Sequence, residues 1–223
     1  MTILVSLFRF AVAAMALAGT CRAWFYGDTQ NLVYFTYQTN LLIAFLFIWA
    51  GLAGLLRGVQ PPAWLKGMVT LNIIITGLVA WIVLPPDDPA AVFRIFGIPS
   101  NLLAHILVPI CAAIDFVLFD EHRRFKWVDA LTWLIYFPIY LAFVVIRALV
   151  FHGVGPAAGG NPYPYGFIDL AKLGIQQFAL NCVIYLAIFF VLALIIVVVD
   201  KALPARTVLT GSSPRAARFK RIR

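Results

Sequence analysis

Polar residues recur at helical spacing in an otherwise apolar chain. Thr36 and Asn40, Asn72 and Thr76, Asn101 and His105, and the trio Gln177, Asn181 and Tyr185 each fall at i,i+4, which places each set on one face of a helix. A neutral imidazole beside a hydroxyl is the minimum for nucleophilic acyl transfer, because the base takes the hydroxyl proton as the oxygen attacks a carbonyl. Thr36 and His105 could supply that pair. Asn101, Asn181 and Arg147 are candidates for binding an oxyanion or a carboxylate. Asn40, His152, Gln177 and Tyr185 complete the polar set from which a substrate site could be drawn. Taken singly, the amides and hydroxyls fit a plainer role as interhelical hydrogen bonds, about 0.6 kcal/mol each in a membrane. His105 and His152 also fit, as a pair, ligation of a haem or a metal. There is no HExxH, no Cys/His cluster and no Gly-rich phosphate loop, so no cofactor or metal is expected. Cys21, Cys111 and Cys182 are odd in number and lack CxxC spacing, and read as small core hydrophobes.

The elements that must carry these residues follow from composition. Of 223 residues, 63% are hydrophobic and 12% charged, against roughly 45–50% and 25% in a soluble globular domain. A soluble domain of this size could not bury so much apolar surface, and a disordered chain would be far more polar. Lipid must be the solvent. Residues 29–56, 67–86, 95–114, 130–146 and 173–199 carry no Asp, Glu, Lys or Arg, and a spanning helix needs about 20 apolar residues. A further run at 3–22 is interrupted by Arg9 alone. Ala16-Leu17-Ala18 resembles a signal-peptide cleavage site, but Arg9 lies inside the run and no basic region precedes it, so a retained helix is expected. The spans predicted are 3–22, 31–56, 65–84, 98–119, 127–150 and 174–199. The expected fold is an all-α bundle of six transmembrane helices over 1–200, followed by a basic, disordered tail over 201–223.

Charge predicts the orientation. Arg9, Arg57, Lys66, Arg123, Arg124, Lys126 and the seven basic residues from Lys201 onward fall on one side. Only Arg22, Arg94, Arg147 and Lys172 fall on the other. The positive-inside rule then places both termini in the cytoplasm. Topogenic charge accounts for the basic tail, so no nucleic-acid partner is expected. The 151–173 connection, with its GVGPAAGGNPYPYG run, reads as a loop able to cover the outer face. On this topology Thr36 lies about 8 Å and His105 about 10 Å below the outer ends of their helices. Arg147, His152, Gln177 and Asn181 fall at a similar level. Asp115 lies about 15 Å along the helix from His105, too far to orient it, and needs a partner near the inner face.

The same stripes resemble a known family. Tyr34-Phe35-Thr36-Tyr37-Gln38-Thr39-Asn40, Asn101-Leu-Leu-Ala-His105 followed by Pro109, His152-Gly153 with Tyr163-Pro164-Tyr165, and Asn181-Cys-Val-Ile-Tyr185 are similar, in that order, to motifs of the androgen-induced-gene family of integral-membrane threonine hydrolases, through its bacterial six-helix relatives. Gln38-Thr39-Asn40 is more polar than the animal pattern, and the His105-to-Pro109 spacing is one residue shorter. The resemblance implies a Thr nucleophile, carried over to Thr36, and a His, carried over to His105. It also implies a lipid or fatty-acyl ester substrate, which in animal members is a fatty-acid ester of a hydroxy fatty acid, and a multi-pass position in a cell membrane, here a bacterial inner membrane. The other readings are a non-catalytic lipid- or haem-binding membrane protein and a small transporter. A transporter would favour repeated halves and broken helices, which the sequence does not display.

Overall fold

In hydrocarbon every backbone N–H and C=O must be satisfied within its own segment, so long apolar runs fold as helices. A computed structural model describes residues 2–84 and 92–209. It contains six helices long and apolar enough to cross a membrane: α1 Thr2–Gly19, α2 Phe35–Leu55, α3 Ala63–Ile82, α4 Leu102–Phe119, α5 Asp129–Val150 and α6 Leu170–Ala202. They run up and down. The connections 56–62 and 120–128 gather with Thr2 and Ala202 at one end, here the terminal end. The segments 20–34, 92–101 and 151–169 gather at the other, the loop end.

Two cores pack side by side. One joins α1 to α4 through small and branched residues, among them Ala13, Ala16, Ala44, Ile73 and Ala112. Small side chains let these helices approach closely, the usual device where lipid removes any hydrophobic drive to associate. The second core is aromatic and lies between α3, α5 and α6, around Phe35, Phe125, Trp133, Tyr140 and Phe189. Trp133 is fully buried, and a Cβ on Gly67 of α3 would collide with its indole ring. Aromatic rings fill space less evenly than alanines, and a cavity of about 610 Å³ lies on this side.

Three of the helices are irregular. The expected span 98–119 starts later, at Leu102, because Ile98–Pro99 (β2) pairs with Arg94–Ile95 (β1) in a short antiparallel hairpin. Within α4, π-helical turns at Leu102–Leu107 and Asp115–Phe119 flank an α-helical middle. Pro109 has no N–H to return to the His105 carbonyl, which favours a wide turn at that point. In α5 a 3₁₀ turn at Trp133–Ile135 interrupts the helix. In α6 the chain breaks at Gly174, whose φ of 71° suits glycine. The break detaches the turn Leu170–Leu173, capped where the Asp169 side chain accepts the Lys172 N–H at 3.0 Å.

The terminal end is held by buried charge. Arg9 donates to both oxygens of Asp115, Nε to Oδ1 at 2.7 Å and Nη2 to Oδ2 at 3.2 Å, and to Asp120 at 3.1 Å. Lys66 completes the group, 3.4 Å from Asp115 and in contact with Asp120. Arg9 thus interrupts the first apolar run in order to be paired inside the bundle, and Asp115 finds its basic partners there. The start of the expected tail is packed against the protein. Leu209 N–H donates to the Leu118 carbonyl at 3.3 Å, and Arg123 Nε to the Leu203 carbonyl at 3.2 Å. The remainder of the tail, from 210 onward, lies outside the described residues.

Candidate functional site

Three of the four polar stripes converge at the loop end. The 3₁₀ turn Thr29–Val33 delivers the chain to Phe35, where α2 begins, so Thr36 stands in the first turn of that helix. His105 projects from the wide turn of α4, and its Nε2 lies 3.1 Å from Thr36 Oγ1. With the ring proton on Nδ1, Nε2 accepts the Thr36 hydroxyl. Beneath the pair, the Asn40 amide donates to the Thr36 carbonyl at 2.9 Å and to the Ala104 carbonyl at 3.2 Å, tying α2 to α4. The Thr39 and Thr76 hydroxyls meet at 2.7 Å and tie α2 to α3. Asn40 is therefore a positioning residue, fully buried behind the pair.

Glycines set how closely the neighbouring helices approach His105. A Cβ on Gly77 of α3 would stand 2.9 Å from Pro109 Cβ and 3.1 Å from the His105 carbonyl. A Cβ on Gly19, at the end of α1, would stand 3.2 Å from Ala104 Cβ. The turn of α4 that carries His105 is thus held by close packing on two sides.

Tyr165 is the site residue absent from the sequence expectation. It lies in the 151–169 connection, is buried, and brings its phenol to the Thr36 side chain. Burial pushes the phenol up to about 12, against the opposing pull of the Thr36 hydroxyl and of the Thr36 and Phe35 backbone at the N-terminus of α2. It therefore stays protonated and able to donate across the physiological range. The loop is fastened in this position. Tyr34 Oη donates to the Pro156 carbonyl at 3.0 Å, Asn161 to Asp169 at 2.8 Å and Asn181 to the Phe167 carbonyl at 2.9 Å. In the sequence Tyr165 is marked only by its place in the Tyr163-Pro164-Tyr165 run.

Thr36 and Tyr165 face a cavity of about 610 Å³ in the aromatic half of the bundle. It runs along α3 from Leu84 and Ala80 toward Trp64, where the indole N–H donates to Thr132 Oγ1 at 2.8 Å. At 1.5 Å rise per residue, the stretch of α3 from Trp64 to Ala80 covers about 24 Å. Among the described residues, no charged side chain lines the cavity. Its volume falls within the usual range of roughly 300–1,000 Å³ for small-molecule sites, and its walls are mostly apolar, with Thr36, Thr76 and Tyr165 toward one end and Thr132 at the other.

The other expected residues lie as follows. Tyr185 lines the same cavity, packed against Phe167 with ring centroids 4.6 Å apart. Asn181 is spent on the Phe167 carbonyl and on Gln177, so the Gln177–Asn181 part of this fourth stripe anchors the loop, while Tyr185 alone reaches the cavity. Asn101 is half-buried one turn from His105 and contacts Ser100 Oγ at 3.4 Å. His152 is exposed on the loop, away from the cavity wall. Arg147 lines a separate groove that shares no wall residue with this cavity. The level common to these residues was readable from helix rise, but their angular positions divide them between different faces. No protein-family model, curated protein or solved structure matches this chain.

Proposed function

We propose that the protein is an intramembrane hydrolase that cleaves a lipid ester, with Thr36 as nucleophile and His105 as base. The observation that carries this reading is the 3.1 Å contact between Thr36 Oγ1 and His105 Nε2 at one end of a largely apolar cavity of about 610 Å³. In the first step His105 takes the Thr36 proton as Oγ1 bonds to the ester carbonyl carbon. The carbonyl oxygen becomes an oxyanion, met by the Tyr165 phenol and the N-terminal turn of α2. Collapse breaks the ester C–O bond, and His105 returns the proton to the leaving alcohol. Water, deprotonated by His105, then attacks the acyl-threonine and releases the acid. The acyl chain lies along the aromatic walls toward Trp64. The distribution of Lys and Arg supports insertion with both termini in the cytoplasm and the Thr36 end in the outer leaflet.

Labelling of the purified full-length protein by a fluorophosphonate probe tests the nucleophile. Wild-type protein should be labelled, and Thr36→Ala and His105→Ala should lose the label while eluting as folded protein on gel filtration. Labelling that survives Thr36→Ala overturns the assignment. Unlabelled wild-type protein that still retains lipid would favour a non-catalytic lipid-binding protein.

A further inference from the structure

Arg147 stands one turn before the end of α5, and among the described residues it has no ion-pair partner. Its Nη1 is buried without a hydrogen bond, and its guanidinium lies 5.9 Å above the Phe151 ring. Among the described residues, the carboxylates of the connections at this end are already engaged. Asp28 pairs with Arg22 at 3.0 Å, and Asp169 accepts from Asn161 and from the Lys172 N–H. Arg147 lines a groove of about 460 Å³ between α5 and the 3₁₀ turn Thr29–Val33. The rest of that groove is mostly apolar, with Leu32, Val33, Phe143, Ile146 and Val150 in its walls. Ile146, Val150 and Phe151 are exposed on the outer surface of the bundle, so the groove is open on the side that lipid would face.

An arginine against hydrocarbon is expensive unless an anion accompanies it. Arg147 is about 4.5 Å along the helix from its last residue, Val150, a depth at which a headgroup can reach it. The planar guanidinium suits two-point contact with a phosphate or a carboxylate. A small free anion would leave the apolar walls uncovered, whereas a lipid would satisfy both the charge and the walls. We propose that this groove binds an anionic lipid, with its headgroup phosphate or carboxylate on Arg147 and an acyl chain along Phe143 and Ile146. The proposal stands apart from the ester-cleavage reading, since the groove and the Thr36 cavity share no wall residue.

The test is native mass spectrometry of the full-length protein released from detergent with equal amounts of dioleoylphosphatidylglycerol, oleate and dioleoylphosphatidylcholine. The wild type should retain one of the two anionic lipids about tenfold better than the zwitterionic one, the scale of a single charge-assisted contact. Which anionic lipid it retains identifies the headgroup. Arg147→Gln should bring retention down to the zwitterionic level, and Arg147→Lys should keep part of it. Ile146→Trp, which fills the groove and leaves the charge, should also lower it. Arg94→Gln, which removes another cation at the same end, should leave it unchanged. Gel filtration establishes that each variant is folded. Equal retention by wild type and Arg147→Gln, an equal loss in Arg94→Gln, or full displacement of the lipid by inorganic phosphate would each overturn the proposal.

Discussion

Arg9 of α1 grips Asp115 of α4 at two points inside the bundle, 106 positions apart in sequence. Removing one member leaves an uncompensated buried charge, which costs about 3–5 kcal/mol. Asp115→Asn should therefore lower the thermal unfolding midpoint in detergent well beyond the effect of an exposed substitution such as Arg94→Gln. The double variant Arg9→Met with Asp115→Leu should recover most of the loss, because Lys66 and Asp120 still pair. A double variant as unstable as Asp115→Asn would show that the pair does more than balance charge.

Tyr165→Phe separates positioning from chemistry. Losing one preorganised oxyanion donor costs about 10²–10³ in kcat. The expected outcome is a fall in kcat on a lipid ester with KM nearly unchanged, since the ring and its packing on Phe167 are kept. A change confined to KM would place the phenol in substrate binding instead.

Gly77→Ala tests how finely His105 is set. The new methyl meets Pro109 and the His105 carbonyl at 2.9 and 3.1 Å, and overpacking of this kind costs about 1–3 kcal/mol. Because the strain falls on the turn that carries the imidazole, probe labelling of Thr36 should slow more than stability falls. The two are compared by labelling rate and unfolding midpoint on the same preparation.

Ile135→Trp should narrow the cavity between Thr36 and Trp64, because Ile135 lines it one turn from Thr132, whose hydroxyl meets the Trp64 indole. Hydrolysis of long-chain esters should then show a raised KM, while a butyrate ester, which does not reach past the obstruction, should be cleaved as before. Steady-state kinetics on an ester series from four to eighteen carbons checks this.

His122 gives stability a pH dependence. It lies in the connection between α4 and α5, with Nδ1 3.8 Å from Asp200 Oδ1 and Nε2 3.1 Å from the Val117 carbonyl. Burial opposes the imidazolium, but the nearby Asp200 carboxylate, the hydrogen bond to the Val117 carbonyl and the charge of Asp120 outweigh it and raise the pKa above 6.5. A raised pKa means that the folded state holds the proton more tightly than the unfolded chain. The contribution is therefore complete below 6.5 and is lost as pH rises through the folded value. Unfolding midpoints should fall across that window, and His122→Gln should flatten the profile.

Much of the frame can be read without coordinates. Charge-free runs and their lengths mark the six helices, because hydrocarbon tolerates little else. The i,i+4 stripes mark Thr36 and His105, and a rise of 1.5 Å per residue puts them at one level. What the sequence withholds is azimuth. Arg147 shares the level of Thr36 but faces a different groove, and the Gln177–Asn181 stripe turns to the loop. Tyr165 depends on a loop whose course is set by Tyr34, Asn161 and Asn181, contacts no local pattern encodes. Arg9 counts equally well as a topogenic charge and as half of a buried pair, and only packing distinguishes the two.

The wide turns of α4 have a consequence for how the chain can change. His105 and Asp115 ride on one helix, the first in contact with Thr36 and the second with Arg9. A π turn holds an extra residue relative to an α turn. A deletion there is absorbed as the turn tightens to α geometry, but deleting one residue from the α-helical middle, Val108–Ile114, meets no such slack and would shift the phase of the helix on one side of it by about 100°. Either the imidazole or the carboxylate would then face away from its partner. Insertions and deletions in this stretch are thus barred from both ends at once, and the two distant sites are bound to a common reading frame in space.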